Sequence, residues 1–154
     1  MSIHRVRIAR DKGEFVQSLV NFNQGIGPFQ TYADVIAFAA ALGVKYQERV
    51  AIENVAKEPS PINLEIFISR GYDTLIKLLA VNELQDTKIL SPHGVDSEAL
   101  RVTIFEEYAN AGLARLEREL RGAVDYTERL LLIISQERFR EITASTEFDL
   151  GRFL

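Results

Sequence analysis

Four cations crowd the first twelve residues: Arg5, Arg7, Arg10 and Lys12. Arg5 and Arg7 alternate with Val6 and Ile8, a period of two that puts both guanidinium groups on one face of a short strand. A guanidinium can pair bidentately with a guanine edge, and Arg10 and Lys12 would then lie near phosphates, so the stretch reads as a DNA-binding arm. An edge strand with a solvated basic face fits the same pattern. A second polar group, Glu106, Glu107 and Asn110, interrupts an apolar stretch. Glu106 and Asn110 are four apart and share a helix face. These side chains can meet a partner protein or, joined by Glu65 or Glu83, approach a carboxylate metal site. The Glu-x-x-His spacing of such sites is absent, so no metal is expected. One glutamate is expected to pair with an arginine and the other to face water. Phe148 and Phe153, near the C-terminus, are further candidates for partner contact.

Other chemistry is thin. There is no cysteine, hence no disulfide, thiolate ligand or cysteine nucleophile. His4 and His93 are far apart in sequence and neither has a second ligand at metal-binding spacing. Gly25-Ile26-Gly27 lacks the further glycine and the lysine of a phosphate loop, and no Gly-x-Ser-x-Gly elbow occurs. The expectation is a protein that is not an enzyme and carries no cofactor.

These residues must be held by a mainly helical frame. The chain has 154 residues, 47% of them hydrophobic, with only four prolines and nine glycines. That suits one domain over residues 1–154 built from about five helices and a short basic N-terminal strand. The net charge of −4 means that any DNA contact must come from a local positive patch. No apolar run reaches the roughly 18 residues of a membrane span, and no signal peptide is visible, so a cytoplasmic location is expected.

Along the chain, the strand covers residues 3–9. Asp11 and Glu14 have the spacing of a capping box for a first helix with the stripe Phe15, Val16, Leu19 and Phe22. A turn over residues 23–29 leads to a second helix, capped by Thr31 with Asp34 in its first turn and stopped by Gly43. Its run of alanines predicts close approach by neighbouring elements, and therefore a central position. Strand, helix, turn and helix is the order of a ribbon-helix-helix unit, in which two chains pair their N-terminal strands; residues 1–58 would form it, as part of a homo-oligomer. Two prolines make residues 57–61 a polar hinge ahead of a helical half at 60–140. Ser60 and Pro61 are expected to open the next helix, with Gly71 kinking or splitting it. Ile89 and Leu90 should tuck against the core. The longest helix runs from about residue 96 to 121, with Leu100, Ile104, Phe105, Tyr108, Leu113, Leu116 and Leu120 as its apolar face, and Asn110 and Gly112 allowing a close helix crossing. A last helix starts at Asp125, and the tail at 143–154 shows no strong period.

The phrase Tyr32-Ala33-Asp34-Val35-Ile36-Ala37-Phe38-Ala39-Ala40-Ala41-Leu42-Gly43, followed by Ile104-Phe105-Glu106-Glu107-Tyr108-Ala109-Asn110-Ala111-Gly112-Leu113, resembles the DNA phosphorothioation-associated protein 4 family of the bacterial Dnd systems. With Ile89-Leu90 and the stretch from Leu130 to Ile134, the resemblance spans roughly residues 5–135 and leaves the tail as an addition. It implies a setting in DNA phosphorothioate modification, or in the antiphage restriction that reads it, and no catalytic residue. The expected function is a non-enzymatic DNA-binding accessory protein of that system acting through Arg5, Arg7, Arg10 and Lys12. The alternative is an adaptor that binds a Dnd protein through the tail or through Glu106, Glu107 and Asn110, without touching DNA.

Overall fold

The structure is a computed structural model that describes residues 3–25, 27–92 and 94–153, with side chains described outside residues 21–25, 95 and 141–153. It is 67% helical, which makes the protein mainly α. The element order is β1 (Arg5–Val6), a 3₁₀ turn (Arg10–Lys12), α1 (Gly13–Gly25), α2 (Tyr32–Lys45), β2 (Ile62–Asn63), α3 (Leu64–Ser69), α4 (Asp73–Leu84), a second 3₁₀ turn (Thr87–Leu90), α5 (Val95–Leu120) and α6 (Tyr126–Phe153). Two compact units result, Met1–Glu119 and Leu120–Leu154. The proline-bearing segment 57–61 lies inside the first unit.

The alternation read at the N-terminus holds. Val6 and Ile8 are buried (0% and 1% exposed), while Arg5 and Arg7 lie outside. The strand itself is shorter than expected, and its partner is not a second chain. β1 pairs antiparallel with β2, Arg5 opposite Asn63 and Val6 opposite Ile62. The same edge continues through an Ala9–Val55 bridge and a bond from the Arg10 amide to the Asn54 carbonyl (2.8 Å). Backbone groups alternate sides along a strand, and the even-numbered residues all use this edge: the His4 carbonyl accepts from Leu64 and the Ile8 carbonyl from Ala56. On the other side, the Arg7 amide donates to Glu106 Oε2 at 3.0 Å. The strand of a second chain therefore cannot pair along the edge that β2 occupies.

α2 begins as its sequence predicts. The Thr31 side chain accepts from the Asp34 amide, and Asp34 answers at the Thr31 amide, a complete capping box. Gly43 does not stop the helix, which continues to Lys45. It sits where a Cβ would come within 2.2 Å of the Tyr108 carbonyl oxygen, and at Gly112 a Cβ would come within 1.8 Å of the Ala39 carbonyl oxygen. Residues 39 and 43 of α2 thus meet 112 and 108 of α5, each glycine lying under the other helix's backbone. Small residues admit this approach, and α2 is accordingly buried at Ala33, Val35, Ile36, Ala37, Ala39, Ala40 and Gly43.

Two starts differ from their sequence signals. Asp11 does not cap α1: the chain enters through the 3₁₀ turn, and the Asp11 carboxylate takes the Lys12 ammonium instead. Ser60 and Pro61 do not open the next helix, because Ile62 and Asn63 are recruited by β1; the Asn63 side chain caps α3 by accepting from Glu65. Gly71, at φ +88°, splits the stripe into α3 and α4, one of the two outcomes its position predicts. Ile89 is buried as expected, whereas Leu90 is 37% exposed. The core of the first unit includes Val16, Leu19, Phe67 and Phe105, the two phenylalanine rings meeting edge to face at 5.4 Å. In the second unit, the Asp125 side chain accepts from the Glu128 amide at the start of α6, and that helix carries the backbone through the region expected to be an aperiodic tail.

Candidate functional site

The four N-terminal cations separate into two kinds. Arg7 is committed: its Nε donates to Glu106 Oε1 at 3.0 Å, its Nη2 closes on the same oxygen, and its amide holds Oε2. The Glu106 side chain is only 2% exposed, against 45% for Arg7. A carboxylate so far from water needs this partner, and the guanidinium is held firmly in its charged form by the same bond. Lys12 is also committed, with its Nζ 3.1 Å from Glu117 Oε2 and 3.1 Å from Asp11 Oδ2. Arg5 and Arg10 are exposed, and among the described residues neither guanidinium has a hydrogen-bond or ion-pair partner. A groove of about 680 Å³ beside Arg10 is lined also by Asp11, Glu53, Asn54 and Asn110. Its two carboxylates outnumber its one guanidinium, so it offers no positive field to a phosphate backbone.

Glu106 and Asn110, expected to face a partner, are internal. Asn110 is 8% exposed, and its Nδ2 donates to the Val50 carbonyl at 3.1 Å and to that of Ala51 at 3.4 Å, fixing the stretch that follows α2. The reason is α5 itself: four-residue spacing puts Glu106 and Asn110 on one face, and that face meets residues 7 and 50–51 of the same chain. Glu107 does not face water freely either, since its carboxylate accepts from Arg49 Nε. Both glutamates therefore have an arginine. Phe148 and Phe153 lie outside the residues whose side chains are described.

Two networks had no signal in the sequence. Arg49 bridges Glu107 and Glu83, and Glu83 also receives the Tyr108 hydroxyl. The bond from Tyr108, then that from Arg49, draws the Glu83 carboxyl below its ordinary range. Burial, together with the bond to Glu83, pushes the Tyr108 phenol up to about 12. At the start of α2, burial would raise the Asp34 carboxyl, but hydrogen bonds from Tyr72, Arg70 and Thr31 outweigh it and leave the group below its ordinary value. Arg70 supplies a two-toothed clamp there, Nε to Oδ1 at 2.9 Å and Nη2 to Oδ2 at 2.8 Å. Apart from the Thr31–Asp34 cap, each pairing joins residues at least 25 positions apart, beyond the reach of any local spacing rule. Among the described residues, no group of three or more histidine, aspartate or glutamate side chains comes together in a way that could hold a metal ion. No helix among them is long and apolar enough to cross a membrane.

A helical unit clamped by internal ion pairs, with its N-terminal strand paired in the same chain, defines the class by fold. The family then follows from the sequence as a whole. The family model described as DNA sulphur modification system-associated protein 4 matches residues 5–153, so the chain belongs to that family and is associated with a DNA sulphur modification system. The match passes well beyond residue 135, so the C-terminal stretch is part of the family pattern and not an addition to it. No curated protein and no solved structure matches the chain.

Proposed function

We propose that this chain is a non-enzymatic, cytoplasmic accessory protein of the DNA sulphur modification system that acts by binding a protein component of the system, without reading duplex DNA itself. One observation carries the choice of protein over DNA: the Arg7 guanidinium is closed on the buried Glu106 carboxylate. With Lys12 held by Glu117, the basic arm is reduced to Arg5 and Arg10, on a chain of net charge −4. Duplex affinity comes chiefly from cations that neutralise phosphates, and two isolated arginines supply little of it.

The non-enzymatic reading is supported by the direction of the resolved titrations. Glu83 and Asp34 are drawn down and Tyr72 and Tyr108 pushed up, all away from neutrality. A general acid or base works best with a pKa near the working pH. These shifts are those of charges tied into structure.

The test is fluorescence anisotropy with labelled duplexes, with and without phosphorothioate linkages, at low salt and at about 0.15 M. The proposal expects no saturable binding to either duplex at the higher salt. Micromolar or tighter binding that is lost in an Arg5→Ala/Arg10→Ala variant would return the function to DNA.

A further inference from the structure

Between the stretch paired to residues 8–10 and β2, the chain makes an excursion over residues 57–61, pinned at both ends by backbone bonds from Ala56 to Ile8 and from Leu64 to His4. The excursion helps to line an open groove of about 500 Å³, with Arg5, Tyr32, Pro59, Pro61, Ile62 and Ile66 among its lining residues. Ile66 is 46% exposed there. The Arg5 guanidinium is exposed and has no partner among the described residues. The groove therefore combines apolar walls, two of them proline rings, with one arginine that no ion pair among the described residues engages and one carboxylate, Glu58.

We propose that this groove docks a short apolar segment of a partner protein, in which an acidic side chain pairs with Arg5. The inference rests on the protein-binding function proposed above and names the surface that performs it. Charge decides the chemistry of the occupant. Arg5 is the groove's only cation, and Glu58 lines the same groove. The two are not ion-paired, so the Arg5 guanidinium is left to take a single acidic side chain among apolar residues, whereas a phosphate backbone needs several cations in a row. A guanidinium takes a carboxylate through two parallel bonds, so Arg5 also fixes the direction of the segment. The apolar walls supply the area on which affinity depends.

The test uses the full chain against an array of overlapping peptides covering the proteins of the DNA sulphur modification system. The expected result is a set of bound peptides sharing an Asp or Glu flanked by apolar residues. In solution their affinity falls roughly tenfold in Arg5→Glu and in Ile66→Asp, and is unchanged in Arg10→Glu, which alters the other groove. Replacing the peptide's acid by lysine restores binding to Arg5→Glu, a reversal that unfolding cannot mimic. Binding indifferent to Arg5 and Ile66 overturns the proposal, as does an array with no bound peptide. Displacement of the peptide by duplex DNA, or occupation of the groove by a second copy seen as self-association that Ile66→Asp abolishes, overturns it too. If intact system proteins still co-purify with the Arg5→Glu chain at wild-type level, the groove proposal fails while the protein-binding function stands. If none co-purifies with the wild type, both fail.

Discussion

Arg7 holds Glu106 from two directions, its amide on Oε2 at 3.0 Å and its Nε on Oε1 at 3.0 Å, across 99 residues of sequence. The pair ties the N-terminal segment to the middle of α5 and uses the cation that would otherwise face a ligand. Arg7→Ala leaves a carboxylate that is 2% exposed without its main donor. The expected loss is about 2 kcal/mol, below the full cost of breaking a buried pair because the arginine side is half solvated. Arg5→Ala should cost less than about 0.5 kcal/mol, as for a surface position without partners. Urea unfolding of the two variants checks the contrast, and equal losses would contradict it.

The α2–α5 crossing predicts a steeper effect. Gly112→Ala puts a Cβ 1.8 Å from the Ala39 carbonyl oxygen and Gly43→Ala puts one 2.2 Å from that of Tyr108. Both obstacles are backbone, so the helices must separate. Each variant should lose about 3 kcal/mol or fail to accumulate as soluble protein. Gly71→Ala meets open space and should cost only about 1 kcal/mol for its positive φ. Thermal melts of the three variants give the ranking.

What could be read in advance was local. Thr31 and Asp34 announced the start of α2 because a capping box lies within four residues. The alternation of Arg5, Val6, Arg7 and Ile8 gave the buried and exposed faces because side chains on a strand alternate. The alanines of α2 and Gly112 of α5 pointed to a close crossing, since lack of bulk permits one. Long-range choices were not legible. Nothing near Glu106 says that its arginine is residue 7, and nothing near Asn63 says that it, and not Ser60, caps α3; that follows from β1 taking Ile62 and Asn63 as partners. For the same reason Arg5, Arg7, Arg10 and Lys12 looked alike in sequence but divide into two committed and two exposed cations.

The Tyr108–Glu83 bond sets a pH dependence on both limbs. An unfolded tyrosine titrates near 10, and Tyr108 in the fold only at about 12. Between these values the unfolded chain loses a proton that the folded chain keeps, so stability falls as pH rises through that window. Glu83 is shifted the other way. Its contribution is present above the ordinary glutamate value of about 4.3 and lost as pH falls through its lower folded value. Tyr108→Phe removes the bond, so it should cost about 1 kcal/mol at neutral pH and flatten both limbs. Urea midpoints across the pH range, with phenol absorbance followed in alkali, provide the check. An alkaline limb unchanged in Tyr108→Phe would place the titration on another tyrosine.

The claim that this family member works through protein contact is tested most directly by co-purification with the other proteins of the DNA sulphur modification system, carried out with and without nuclease at about 0.15 M salt. The account predicts a complex of fixed stoichiometry that survives nuclease digestion and retains its partner in an Arg10→Ala variant. A complex that forms only while duplex DNA is intact, and dissolves when the DNA is digested, would contradict it.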